Sequence, residues 1–171
     1  MQSVISGRIF KFGDNVNSDV IIPGRYLIYI DPEKLSQHAF EMLGDEFPEK
    51  IRQFDILVAG ANFGCGSARE QAVTAIQGLG IRAVVACSFA RAFFRNAVNR
   101  GLPIVECPDI YPGLTEGGHI EIDLAAGRIV QDDKTFTFPK LPEFIRHILE
   151  AGGLTAYLQT QIASESGPEG E

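Results

Sequence analysis

Ile56-Leu-Val-Ala-Gly-Ala-Asn-Phe-Gly-Cys-Gly-Ser-Ala-Arg-Glu70 is the stretch whose reading decides the fold. Its first four residues form an apolar run, expected as a buried strand. Glycines at 60, 64 and 66 follow, and glycine lets backbone amides approach a ligand closely. The loop is expected to open a helix at Ser67, whose N-terminus offers unpaired N–H groups and partial positive charge. Arg69 adds a cation on the same turn. Together these features predict a pocket for a small carboxylate or phosphate, with the Ser67 hydroxyl aimed into it. A second reading is that Ser67 and Glu70, at capping-box spacing, merely cap the helix. Arg69 weighs against it, because the dipole at a helix start favours acids over cations. Conflict between local preference and sequence is expected at functional positions.

Outward from this loop, strands and helices alternate. The pattern predicts strands over 55–59, 82–86 and 103–106 and helices over 67–79 and 90–99. On the first helix Ala68, Ala72, Ala75, Ile76 and Leu79 share one face. Such alternation implies βαβ units and a parallel sheet. Upstream, residues 4–12 alternate like a strand. Asp31-Pro-Glu33 starts a helix well, and Gly44 is expected to end it. After Pro108 the pattern changes: 119–124 and 136–138 read as antiparallel strands around a turn near Gly127. A last helix begins at Pro142, with Phe144, Ile148 and Leu149 in one stripe. Residues 1–162 are expected to form one α/β domain, and the polar tail 163–171 to be disordered.

A chain of 171 residues can bury a sizeable core, and 45% apolar with 22% charged residues is ordinary for a globular protein. Net charge −7 argues against nucleic acid. No apolar run reaches the ~18 residues of a membrane span, and the N-terminus lacks the pattern of a signal peptide. The expected location is cytoplasmic. Cys65, Cys87 and Cys107 are odd in number and widely spaced, which argues against a disulfide framework. Cys87 and Cys107 read as core thiols, and Cys65 as partly exposed. Without a C-x-x-C pair the chain lacks a metal or iron–sulfur motif of its own.

Other glycine-rich motifs fit poorly. A P-loop needs lysine where Gly66 stands, and the dinucleotide fingerprint needs glycine where Arg69 stands. A hydrolase elbow needs glycines in place of Cys65 and Arg69. His38, His119 and His147 show no carboxylate or cysteine partner at ligand spacing and read as structural or surface residues. Arg91, Arg95 and Arg100 could form a basic patch, but among Asn96 and Asn99 in an acidic chain they read as packing or subunit-contact residues, and Arg100 before Gly101 also suits a helix C-terminus. Asp14, Asn15, Asn17, Ser18 and Asp19 crowd one segment, as a hydrogen-bonded turn would.

Three motifs in register carry a family resemblance. Asp14-Asn-Val-Asn-Ser-Asp-Val-Ile-Ile-Pro-Gly-Arg-Tyr-Leu27, Gly64-Cys-Gly-Ser-Ala-Arg-Glu70, and Ser88-Phe-Ala-Arg91 with residues 96–103 resemble the small subunits of 3-isopropylmalate dehydratase. These are detached counterparts of the swivelling domain of aconitase. The likeness spans roughly residues 1–160. It departs at Ser67-Ala-Arg-Glu-Gln71, where relatives often read Ser-Ser-Arg-Glu-His.

The resemblance implies a three-layer β/β/α domain with a mainly parallel central sheet and an added antiparallel segment. It implies a hydro-lyase of leucine biosynthesis that moves a hydroxyl between adjacent carbons through cis-unsaturated isopropylmaleate. The chain would bind no cofactor itself. A large partner subunit would carry a four-iron four-sulfur cluster as Lewis acid. Ser67 would be the catalytic base. Arg69 and the amides near Gly66, Ser67 and Ala68 would hold the substrate's carboxylates, and Asp19 would border the site. Ile28 and Tyr29 would read the substrate's side chain. An apolar Ile28-Tyr-Ile30 favours isopropylmalate, with Arg25 as the residue able to upset that preference. Two alternatives stay open: a homoaconitase small subunit acting on homocitrate and homoisocitrate, or a non-catalytic anion-binding module.

Overall fold

A computed structural model describes residues 4–165. In chain order the elements are β1 (Val4–Lys11), α1 (Ser18–Ile21), α2 (Pro32–Ser36), α3 (Phe47–Ile51), β2 (Ile56–Ala59), α4 (Glu70–Gly78), β3 (Ala83–Ala86) and α5 (Arg91–Asn99). Then follow β4 (Ile104–Glu106), α6 (Ile110–Gly113), β5 (His119–Asp123), β6 (Arg128–Gln131), β7 (Lys134–Thr137), α7 (Glu143–Glu150) and α8 (Leu154–Glu165). Short 3₁₀ turns lie at Gly24–Tyr26 and Glu41–Leu43. The strands form one seven-stranded sheet in the order β4-β3-β2-β1-β5-β6-β7.

β1, β2, β3 and β4 pair in parallel, with Ile9 opposite Ile56 and Leu57 opposite Val84. β1 also pairs antiparallel with β5, and β5, β6 and β7 continue as a meander. β2 and β3 are buried at every position, as strands covered on both faces must be. Alternate residues feed two cores. Phe10, Leu57, Ala59, Val84 and Ala86 pack with Val73, Ile76, Phe93 and Ile148 of the helices. Ile9, Ile56, Val58, Val85 and Val105 pack instead with Ile120, Ile122, Ile129 and Phe138 of the meander. The sheet therefore curls back on itself, so far that the Cys107 thiol beyond β4 lies 3.6 Å from the Thr137 carbonyl of β7. Helices, parallel strands and meander make the three layers, β/β/α.

Several boundaries differ from the sequence reading. The helix expected from Asp31 to Gly44 stops at Ser36. Asp31 does cap it, accepting the Glu33 N–H at 3.0 Å. The break comes at Phe40, which takes φ 60 and is fully buried. Its ring stacks on Phe12 at 4.7 Å and its N–H donates to the Ile21 carbonyl at 3.0 Å. Burial of a large ring thus overrides helical preference. Gly44 still ends the run, at φ 149. In the meander, Gly127 turns β5 into β6, a strand the sequence reading missed, and Asp132, at φ 51, turns β6 into β7. α8 was also missed. It carries residues 163–165 in helix, and the rest of the tail expected to be disordered lies outside the described residues. Among the described residues no helix is long and apolar enough to cross a membrane.

Candidate active site

The loop 60–69 leaves the C-terminal end of β2, where open α/β sheets place their ligands. It lies alongside the polar segment that follows β1. Gly60 N–H donates to Gly13 O at 3.1 Å and Asn15 N–H to Ala61 O at 2.8 Å. Gly64 N–H donates to Val16 O and Ser18 N–H to Cys65 O, both at 2.8 Å. The Asp14 carboxylate accepts the Ala61 N–H at 2.7 Å. Asn62 donates its side-chain amide to Asn15 at 2.9 Å and its N–H to the Ser88 hydroxyl at 2.9 Å. Asn15 and Asn62 take φ 55 and 61, a conformation Asn tolerates better than most residues. The polar crowd at 14–19 is thus a hydrogen-bonded turn that also clamps the loop.

Three glycines here answer internal needs. A side chain at Gly64, at φ 78, would strike Phe93. At Gly66, φ 90, a Cβ would lie 2.5 Å from the Asn17 side-chain oxygen. At Gly60 it would strike the Asp14 carboxylate. Loop freedom therefore follows from close packing, and glycine count alone does not mark a ligand site.

Ser67 does not cap a helix. α4 begins at Glu70 with Arg69 at its N-cap position, and no side chain caps it. The Ser67 hydroxyl is exposed and has no partner among the described residues, while its carbonyl accepts the Ser18 hydroxyl at 2.6 Å. Ser18, 2% exposed, also lies 3.1 Å from the Cys65 carbonyl. One buried hydroxyl thus fixes the backbone on which Ser67 is displayed. The N–H groups of Gly66, Ser67 and Ala68 find no acceptor among the described residues.

Arg69 is placed at the helix start by an ion pair rather than by the dipole. Its Nη1 lies 2.5 Å from Asp19 Oδ1 and 3.3 Å from the Ile22 carbonyl. The Arg69 side chain is 17% exposed, against 50% for Asp19. Asn17 holds the backbone of Asp19, accepting its N–H at 2.8 Å. Gly66, Ser67, Ala68, Arg69 and Asp19 therefore converge on one surface.

The turn bearing Ile28 adjoins it. Gln71, one residue into α4, donates to the Leu27 carbonyl at 3.3 Å. Ile28 is 80% exposed and Ile30 86%. Tyr29 turns the other way, half-buried against the helical core and stacked on Tyr26 at 6.4 Å. Of the two residues expected to read a substrate side chain, only Ile28 faces outward.

Sequence reasoning missed Glu41. Its carboxylate pairs with Arg25, accepts the Tyr26 hydroxyl at 3.1 Å, and lies 2.8 Å from His38 Nδ1. The His38 ring stacks on Tyr26 at 3.8 Å. Burial pushes the Glu41 carboxyl up, but hydrogen bonds from His38 and Tyr26 and the charge of Arg25 outweigh it, holding the group below its ordinary value. Two histidines read as lacking a carboxylate partner have one: His38 meets Glu41, and His147 Nε2 lies 3.8 Å from Glu143. Both pairs have i,i+3 or i,i+4 spacing, a signal present in the sequence.

Cys107 is buried, and that burial raises its pKa, whereas Cys87, read as a core thiol, is half-exposed like Cys65. Cys87 sits just beyond β3, where the strand gives way to loop. Among the described residues no group of three or more His, Cys, Asp or Glu could hold a metal ion.

The aconitase C-terminal domain family matches residues 25–109, which include the Ser67 loop. The isopropylmalate/citramalate isomerase small subunit of Methanocaldococcus jannaschii is 47% identical, over 95% of this chain and 98% of its own. The 3-isopropylmalate dehydratase small subunit of Thermodesulfovibrio yellowstonii is 45% identical, over 94% and 97%. A crystal structure of 3-isopropylmalate dehydratase from Methanocaldococcus jannaschii superposes with a TM-score of 0.87, at 45% identity, over 96% of this chain and 99% of that one. With such identity along nearly its whole length, over a loop of this geometry, the chain belongs to the family of 3-isopropylmalate dehydratase small subunits, within the aconitase superfamily.

Proposed function

We propose that the chain is the small subunit of a heteromeric hydro-lyase that interconverts 2-isopropylmalate and 3-isopropylmalate by removing and re-adding water, a step of leucine biosynthesis in the cytoplasm. The observation that carries this reading is the exposed Ser67 hydroxyl, which, like the neighbouring loop amides, has no partner among the described residues, beside an Arg69 held by Asp19.

The chemistry follows from these groups. Ser67 Oγ takes the proton from the substrate carbon. A serine alkoxide forms only where its charge is stabilised and water excluded. The N–H groups of Gly66, Ser67 and Ala68 and the Arg69 cation supply the stabilisation, and they also bind the substrate's carboxylates. Exclusion of water cannot come from this chain, because Ser67 is exposed in it. The large subunit covers the loop. Among the described residues no cluster of side chains fits a metal, and the Lewis acid for the leaving hydroxyl, a four-iron four-sulfur cluster, is assigned to that partner.

Ile28 offers apolar contact to an isopropyl group and no partner to a distal carboxylate, which supports isopropylmalate over homoisocitrate. An apolar residue also contacts a methyl group, and the Methanocaldococcus relative's name couples isopropylmalate with citramalate. The test is reconstitution. Purified alone, the chain is expected to carry no iron and to be inactive. With its large subunit it should interconvert the isopropylmalates, and citramalate should be assayed beside them. Activity of the chain alone, or none with the partner, refutes the proposal. A chain that binds carboxylates but never supports turnover would be the non-catalytic module instead.

A further inference from the structure

Arg25 is a cation three residues before Ile28. Leu27 N–H bonds back to Gly24 O at 3.2 Å and Tyr29 N–H to Tyr26 O at 3.0 Å. The 3₁₀ turn at Gly24–Tyr26 and the turn closed by the Tyr29 N–H keep Arg25 and Ile28 on one short segment. Both side chains are exposed, Arg25 at 66% and Ile28 at 80%. A free arginine there would give a distal carboxylate a charge-assisted partner and would blur any preference for an apolar side chain.

Arg25 is not free. Glu41, whose side chain is only 14% exposed, pairs with it and also receives Tyr26 and His38. Glu41 arrives there through an unusual backbone. Phe40, immediately before it, occupies the left-handed region at φ 60 while fully buried. Such a conformation is unfavourable for a bulky residue and persists only where the surroundings impose it, often at functional sites. Here it turns the chain so that an acid reaches the cation three residues before Ile28.

We infer that Glu41 is a specificity-determining positioning residue: it neutralises Arg25 and, with Tyr26 and His38, fixes the turn 24–29, so that the site presents Ile28 as an apolar surface. The inference rests on the functional reading above and extends it to the source of discrimination. Two charges of opposite sign meet here, so removing one and removing the other must have opposite effects.

The test uses the reconstituted two-subunit enzyme and two substrates: 3-isopropylmalate, and homoisocitrate, whose side chain ends in a carboxylate. The readout is the ratio of kcat/KM for homoisocitrate to that for isopropylmalate. Glu41→Gln keeps an oxygen for Tyr26 but releases Arg25, and should raise the ratio about tenfold, chiefly through KM. Arg25→Ala leaves the carboxylate uncompensated and should lower the ratio by about threefold or more. The double variant should return to within about twofold of wild type. Ratios that stay within about twofold in both single variants, or that move the same way, overturn the inference. If Glu41→Gln fails to fold, Arg25→Ala carries the test, since its side chain is largely exposed. A competent wild type with unmoved ratios overturns this inference alone. A wild type that ignores isopropylmalate overturns the functional reading, and this inference with it.

Discussion

Two serines 49 residues apart separate chemistry from scaffolding, and replacing each in turn tests the proposed mechanism. Ser67→Ala removes a hydroxyl that is exposed, uncaps no helix and has no partner among the described residues. Its stability cost should stay within about 0.5 kcal/mol, the range for surface changes away from special features. For a chain of this size that is a melting shift of roughly 1–2 °C. Turnover in the reconstituted enzyme should fall by about 10²–10⁴, the contribution of a general base, or roughly 2.7–5.5 kcal/mol in activation free energy. Ser18→Ala should instead lower stability. That hydroxyl is 2% exposed and bonds the Ser67 carbonyl at 2.6 Å. Its loss removes the hydroxyl partner of the Ser67 carbonyl, at about 1–3 kcal/mol. The assay pairs thermal melts of each purified variant with the rate of isopropylmaleate formation, followed by its ultraviolet absorbance, at saturating large subunit. The reasoning is refuted if Ser67→Ala keeps more than about a tenth of wild-type turnover, or if it destabilises as much as Ser18→Ala.

Ile28→Arg should weaken use of isopropylmalate and favour homoisocitrate by roughly ten- to a hundredfold in relative kcat/KM, because it adds a charge-assisted partner for a distal carboxylate. The melting temperature should not move, since Ile28 is 80% exposed. The Glu41 carboxyl is held below its ordinary value of 4.5, so its contribution to stability is present above that pH and is lost as pH falls through the lower folded value. The gap in melting temperature between wild type and Glu41→Gln should therefore be open near neutrality and close in acid; a gap that does not change with pH contradicts it. Burial raises the pKa of the Cys107 thiol, so mass spectrometry after brief alkylation of the native chain should find Cys65 modified and Cys107 intact.

The parallel half of the sheet was readable because its pattern is local. Leu57 and Val84 sit in short apolar runs, one leading into Gly60 and the other following Gly80, and each run needs only its neighbours to declare itself. β6 was harder to see. Arg128-Ile-Val-Gln131 is short and only half apolar, and it becomes a strand because β5 and β7 supply hydrogen bonds on both sides. The break at Phe40 was invisible for a related reason. The sequence around it suits a helix, and only burial of the ring against Phe12 makes the left-handed turn worthwhile.

The site divides along the same line. By itself the sequence determined the chemical inventory: the Ser67 and Arg69 loop, the polar segment from Asp14 to Asp19, and an apolar residue at 28. Those are residue types at fixed spacing, and spacing along one chain survives folding. What each group does was decided by tertiary structure. Ser67 is freed from capping because α4 starts three residues later than its pattern suggests. Arg69 is tied to Asp19, and Arg25 to Glu41, by contacts that join segments 50 and 16 residues apart. Charge interacts through space and depends on distance and burial, neither of which is written in the order of the residues. Only the folded chain decides which acid each cation meets.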